Sequence, residues 1–215
     1  MTTRNAASMG TYGSTWESRG YSGVGPVESL IGTLDGRPAV ICGNGYGVFE
    51  EFDQIRKLYD EKELVVFGVN DVGMYLDKLD HWVSLHADNL GAWKAVRWAM
   101  AKSGEKTLYH SATDRPFITH CWSNLTPCFA LSGYFAMQIA WIMGCSRIIL
   151  CGCPGMPMKR FFEAAPRGVF GYGGGDSNSD TGVREQVEKE MIRIPEFKKV
   201  VRSTRGWTRH FFGGI

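Results

Sequence analysis

Four groups of residues in this chain have the types and spacing for chemistry. The first is G-N-G-Y-G, Gly43 to Gly47, directly after the apolar run A-V-I-C. Glycines in a strand-to-helix turn let backbone N–H groups approach an anion at the positive end of the helix. Asn44 carries both a donor and an acceptor, which suits a ribose hydroxyl or a phosphate oxygen. The same five residues also suit a tight corner with no ligand, since Asn tolerates the left-handed conformation. The run is not the dinucleotide fingerprint, because its third glycine comes one residue early, and no Gly-Lys-Ser/Thr follows as a P-loop requires.

The second group is Asn70 and Asp71, at the end of L-V-V-F-G-V-N-D. Asp71 can orient a sugar hydroxyl, hold a divalent cation as a hard oxygen ligand, or cap the next short helix. The third is L-H-A-D, with His86 two residues before Asp88. A histidine beside a carboxylate serves as a general base near neutral pH, and a hydrogen-bonded histidine at a strand end has the same sequence. His81 reads as structural, while His110 and His120 lie in weaker strand candidates. The fourth group is Arg202, Arg205, Arg209 and His210, interleaved with Trp207 and Phe211. Guanidinium forks suit phosphate, His210 is a second candidate base, and a solvated terminal helix is the alternative.

These groups are positioned by an α/β pattern. Ala39–Cys42, Leu64–Asn70 and Arg147–Cys151 are short apolar runs expected as buried strands, and His81–His86 as a third, alternating one. Leu108–Ser111 and Phe117–His120 are weaker candidates. Val48–Leu58, Ala92–Lys102 and Ser132–Gly144 have helical spacing, the last closed by its glycine. Strands without polar faces, alternating with helices, point to a Rossmann-like, mostly parallel sheet covered on both faces. Such sheets bind ligands outside the carboxyl ends of their strands. Gly43, Asn44, Gly45, Asn70, Asp71, His86, Asp88, Gly152, Cys153 and Pro154 should therefore gather along one edge.

The chain has 215 residues, 44% of them hydrophobic, and a formal charge of +2. That suits one domain of ordinary size and argues against bulk electrostatic attraction to nucleic acid. Residues 1–26, rich in Gly, Ser, Thr and Tyr, are expected as an irregular arm that docks on the body or on another chain. Residues 27–215 are expected as a single domain, with a core at 38–155 and a lid and tail at 156–215. A glycine-rich loop at 168–182 would close the lid, and Val183–Met191 would form a charged surface helix. No apolar run reaches the ~20 residues of a membrane span, and the first residues show no apolar leader, so a cytoplasmic protein is expected. The six cysteines are expected as reduced, mostly buried thiols.

Three blocks, A-V-I-C-G-N-G, G-V-N-D-V and L-S-G-Y-F-A-M-Q-I-A-W-I-M-G-C-S-R-I-I-L-C-G, resemble in order and spacing a superfamily of Rossmann-like transferases. It contains bacterial lipooligosaccharide sialyltransferases and archaeal 6-hydroxymethylpterin diphosphokinase-like proteins, and similar proteins are encoded by tailed phages, which would place this one in a host cytoplasm. The resemblance covers residues 38–155. It implies nucleotide binding by Gly43, Asn44, Gly45, Asn70, Ser132 and Gly133. Where the sialyltransferases have Pro-Ser after G-N-G, this chain has Tyr46 and Gly47, and where they have an acidic residue after the late strand it has Cys153 and Pro154. Their lid supplies tyrosines and a histidine base, whereas the matching region here offers Phe161, Phe162, Tyr172 and His210.

The resulting expectation is a glycosyltransferase that takes a nucleotide-sugar donor and an acceptor of unknown identity, with His86, His210 and Asp71 as catalytic candidates. A non-catalytic nucleotide-binding or virion-associated interaction protein on the same fold is the alternative. Homo-oligomer formation is compatible with both. Diphosphate transfer from ATP is a third reading, and it needs Mg2+, for which Asp71 and Asp88 are the candidate ligands.

Overall fold

A computed structural model describes residues 27–100, 106–123, 125, 131–153, 161, 185, 187–189 and 195–215. The expected arm, the glycine-rich loop and most of the expected lid lie outside the described residues. Seven strands form one sheet: β1 (Pro38–Cys42), β2 (Val65–Val69), β3 (His81–Val83), β4 (Leu108–Ser111), β5 (His120–Cys121), β6 (Arg147–Cys151) and β7 (Val201–Ser203). Their order is β5-β4-β3-β2-β1-β6-β7, and every neighbouring pair is parallel.

Among the described residues, the helices with both ends defined are α1 (Val48–Leu58), α2 (Ala87–Ala99), α3 (Ser132–Ile142), α4 (Phe197–Val200) and α5 (Gly206–Phe212), with 3-10 turns at Val27–Leu30 and Asn70–Met74. Period-2 alternation sends β1 to two cores at once. Ala39 and Ile41 pack with α3, Phe197 and Phe212 on one face. Val40 and Cys42 pack with Val48, Phe52 and Ile55 of α1 on the other. Both faces are thus covered, as purely parallel sheets require. α1 buries one stripe only, and its Glu50 and Glu51 lie in the first turn and Arg56 and Lys57 in the last, complementing the helix dipole. α3 is buried at most of its positions, which its almost uninterrupted apolar sequence dictates.

The fold matches the expected α/β class, with differences at element ends. β3 stops at Val83 because Ser84 turns its hydroxyl to Asn70, 2.8 Å away, and accepts the His86 N–H at 3.0 Å. α2 starts at Ala87, five residues before the expected Ala92, with Asp88 in the first turn where the dipole favours a carboxylate. β5 lies at His120–Cys121, because Ile118 instead closes a turn to the Arg115 carbonyl at 2.9 Å. The seventh strand, in V-R-S, was not expected; Val201 and Ser203 are buried, and Arg202 between them is only partly so. Among the described residues no helix is long and apolar enough to cross a membrane. Cys42, Cys121, Cys145 and Cys151 are buried free thiols, and Cys153 is half-buried.

Candidate functional site

The strand order reverses at β1. From β1 the chain winds outward through β2, β3, β4 and β5, then returns to β6 on the other side of β1. A crevice opens at such a switch point, outside the carboxyl ends of the strands. Ala39 pairs with Val65 on one side and Ile148 on the other, so Gly43, Asn70 and Gly152 leave the sheet side by side.

Hydrogen bonds tie these ends together. Asn44 Nδ2 donates to Asp71 Oδ1 in a short bond that joins the β1 and β2 ends. Asn70 takes a left-handed backbone conformation, with φ 56°. Its carbonyl accepts the indole N–H of Trp82 at 2.6 Å, and its side-chain oxygen accepts the Ser84 hydroxyl at 2.8 Å. Ser132, at the start of α3, accepts the Leu85 N–H at 3.2 Å. Gly133 faces Cys153, since a Cβ there would stand 3.4 Å from its Sγ. Gly43, Asn44, Asn70, Asp71, Ser132 and Gly133 thus line one connected edge, with Ser84 and Cys153 among them.

Asn44 is held in a defined orientation. With Nδ2 toward the Asp71 carboxylate, its Oδ1 points elsewhere, and that oxygen is buried with no hydrogen-bond partner among the described residues. Flipping the amide would set two oxygens against each other, so Asp71 fixes which atom is left over. The Asn44 carbonyl accepts the Phe161 N–H at 3.0 Å. The Phe161 ring meets Phe49 and Tyr75 edge to face, at 5.5 and 5.6 Å between centroids, and makes an aromatic wall beside the amide.

Contacts within the chain account for the glycines of the turn. Gly45 is not left-handed; of the three, only Gly47 is, with φ 79°. The N–H groups of Gly43 and Gly45 donate to Cys151 and Gly152 carbonyls, each at 2.8 Å. A Cβ at Gly43 would meet the Cys153 Sγ at 2.5 Å, and one at Gly45 would meet the Gly152 oxygen at 2.8 Å. A Cβ at Gly47 would meet the Arg205 guanidinium at 2.6 Å. The close neighbours of all three positions are therefore other parts of this chain, and an anion is not needed to explain them.

Glu51 organises the opposite rim. It occupies the i+3 position of the apolar stripe Val48, Phe52, Ile55, so the helix carries its carboxylate inward, where it is 4% exposed. It accepts the Gly152 N–H at 2.8 Å and the Thr204 hydroxyl, and pairs with the Arg205 guanidinium. Arg205 also donates to the Tyr46 carbonyl at 3.0 Å. Thr208 donates to the Cys153 carbonyl at 2.7 Å. The tail thereby reaches the turn, and Arg205 places a cation beside it. Burial pushes the Cys153 thiol up to about 12, so it is no thiolate nucleophile.

Among the expected bases, only the backbone of His86 is bonded to this edge, its N–H donating to the Ser84 hydroxyl at 3.0 Å. His86 is exposed at the N-cap of α2, and its carbonyl accepts the Asn89 N–H at 3.1 Å. Asp88 is engaged by Arg115 through two bonds, 2.6 and 3.1 Å, and that guanidinium holds its carboxyl below the usual range. His210 is exposed on α5 two residues after Thr208. That spacing turns it about 200° from the face that meets Cys153. Arg202 and Arg209 donate to backbone carbonyls of their own segment. Of the catalytic candidates only Asp71 lies in the connected edge, and the two carboxylates considered for Mg2+ each have their own partner on separate elements.

Ser84, Glu51 and Thr204 were not singled out from the sequence. Only Glu51 carried a signal there, as an acidic residue at an apolar position of the stripe. No protein-family model matches the chain, and no curated protein matches it.

Proposed function

We propose that the carboxyl edge at the β1 switch point binds a nucleotide, and that the protein is a transferase taking a nucleotide-activated sugar as donor. The observation that carries this reading is the buried, unpartnered Oδ1 of Asn44 within a connected row of Asn, Asp and Ser side chains. An unmet buried acceptor costs about 1–3 kcal/mol, and a ribose hydroxyl supplies the missing donor. The aromatic wall of Phe49, Tyr75 and Phe161 offers an apolar face for a ring. Arg205, paired with Glu51, stands beside the turn. In this reading Asp71 accepts the acceptor's hydroxyl proton, because it is the titratable side chain within the row.

A second reading has its own observation. No hydrogen bond joins the side chain of His86 or His210 to the row among the described residues, which favours nucleotide binding without transfer. Turnover of a nucleotide-sugar to free nucleotide separates the two readings.

The test is a thermal-shift panel with CMP, UDP, GDP, ADP and ATP, with and without Mg2+. A nucleotide at a hundred times its Kd adds about 2.7 kcal/mol to stability. Asn44→Ala is expected to abolish that shift and leave the unliganded melting temperature close to wild type. A variant that melts early yet keeps the shift would make Asn44 a turn residue and remove the reading.

A further inference from the structure

Three histidines on neighbouring strands form a cluster separate from the switch-point edge. His81 lies on β3, His110 on β4 and His120 on β5, and His110 is the direct register partner of His120. His81 and His110 are buried. The Nδ1 of His81 lies 2.9 Å from the Nε2 of His110, and Trp122 Nε1 donates to His110 Nδ1 at 3.0 Å. The His120 ring stacks on His110 at 5.3 Å, and Phe67 stacks on His81 at 4.4 Å.

The tautomers follow from the donors. An indole N–H can only donate, so His110 Nδ1 is a bare acceptor. Neutral His110 then carries its proton on Nε2 and gives it to His81 Nδ1, which is also bare. A further proton on His110 Nδ1 would confront the Trp122 N–H. One on His81 Nδ1 would confront the His110 N–H. Each protonation must therefore break a buried hydrogen bond.

The surroundings also oppose charge. The ionisable groups acting on His81 are His120 and Arg37, and those acting on His110 are His81 and His120; no carboxylate is among them. Burial first, and these cationic neighbours second, hold His81 down to about 3 and His110 well below its ordinary value. Burial also lowers His120.

We propose that this imidazole cluster is an acid-sensitive latch, closing the β3–β4–β5 edge while its histidines are neutral and releasing residues 106–123 when they take up protons. The edge is the natural place to open, because β5 has two residues and pairs with β4 alone. A depressed folded-state value means that the latch is fully effective above the unfolded histidine value of about 6.5 and weakens as pH falls from there toward 3. At pH 5 each histidine freed on opening raises the open population about 30-fold, and His81 and His110 together about 1,000-fold. Opening also reaches the switch-point edge, since the Ser84 N–H donates to the His110 carbonyl at 3.1 Å.

The test is hydrogen exchange with mass spectrometry on the full chain at pH 7.5 and 5.0, with rates corrected for intrinsic exchange. Peptides across 106–123 are expected to lose about 100-fold or more in protection, while those across 38–42 and 147–151 change by about threefold at most. The variant carrying His81→Asn and His110→Gln keeps one acceptor and one donor in place but cannot titrate there. It is expected to cut the pH effect on 106–123 to below about tenfold. Should that variant not fold, the wild-type comparison decides alone. Equal loss across the whole sheet, or unchanged protection at 106–123, overturns the latch.

Discussion

Replacing Gly45 with alanine separates a packing requirement from a ligand requirement at the glycine turn. The new Cβ would stand 2.8 Å from the Gly152 oxygen and 3.0 and 3.1 Å from its C and Cα. All three are backbone atoms, in a loop that Glu51 holds through the Gly152 N–H at 2.8 Å. They cannot swing aside as the end of a side chain can. Gly45 is outside the left-handed region, so backbone strain does not contribute. Overpacking costs about 1–3 kcal/mol, and weakening the Gly45 bond to Gly152 adds about 1 kcal/mol. The stiffer unfolded chain returns about 0.4–1 kcal/mol, leaving about 1–3.6 kcal/mol of destabilisation. At about 2–4 °C per kcal/mol for a chain of this length, calorimetry should record a fall of about 2–14 °C. Gly36 is the control: it has φ +79° and nothing within 4 Å of its Cβ position. Gly36→Ala should cost only the left-handed penalty, about 1–2 kcal/mol. A Gly45→Ala protein that melts with wild type would refute the packing argument and return the turn to an anion-binding role.

Other substitutions test the supports of the site. Glu51→Gln keeps the shape but leaves Arg205 without its carboxylate; because Arg205 is about a third exposed, the loss should be about 2–3 kcal/mol, below the range for fully buried pairs, as urea unfolding would show. Arg97 donates from one guanidinium nitrogen to the Gly73 and Leu76 carbonyls at 3.0 and 2.6 Å. Arg97→Met leaves those buried acceptors unmet and should cost about 2–4 kcal/mol by the same measurement. Gly73→Ala drives a Cβ into the Trp82 indole, whose N–H holds the Asn70 carbonyl. It should therefore both destabilise the protein and weaken any ligand protection at Asn70, which separate melting and binding assays would detect.

The central sheet was legible because its strands are apolar on both faces and end in glycine or asparagine. Ala39–Cys42 and Arg147–Cys151 fall where the apolar runs placed them, and α1 keeps its expected limits. The edges were less legible. Two-residue β5 and three-residue β7 are too short to show a period, and they exist because β4 and β6 offer unpaired edges. The start of α2 was expected five residues late, at Ala92, whereas the fold uses Asp88 in the first helical turn. At the site, residues that follow strands could be selected by rule, and Asn44, Asn70 and Ser132 lie at neighbouring element ends, with Asp71, Ser84 and Leu85 as their bonded partners. What sequence could not show is which partner each side chain takes. Asp88 is drawn to Arg115, and Arg205 to a glutamate 154 positions earlier. Such choices depend on contacts across the whole chain, as does the service of Gly45 to Gly152.

The proposed nucleotide site lies at the carboxyl ends of β1 and β2 and the N-terminus of α3. The most direct measurement is hydrogen exchange on the full chain with and without the nucleotide that gives the largest thermal shift. The account predicts added protection confined to peptides containing Gly43–Gly47, Asn70–Tyr75, Ser84–His86 and Leu131–Tyr134, lost in Asn44→Ala. Protection centred elsewhere, or none with any of the five nucleotides, would contradict it.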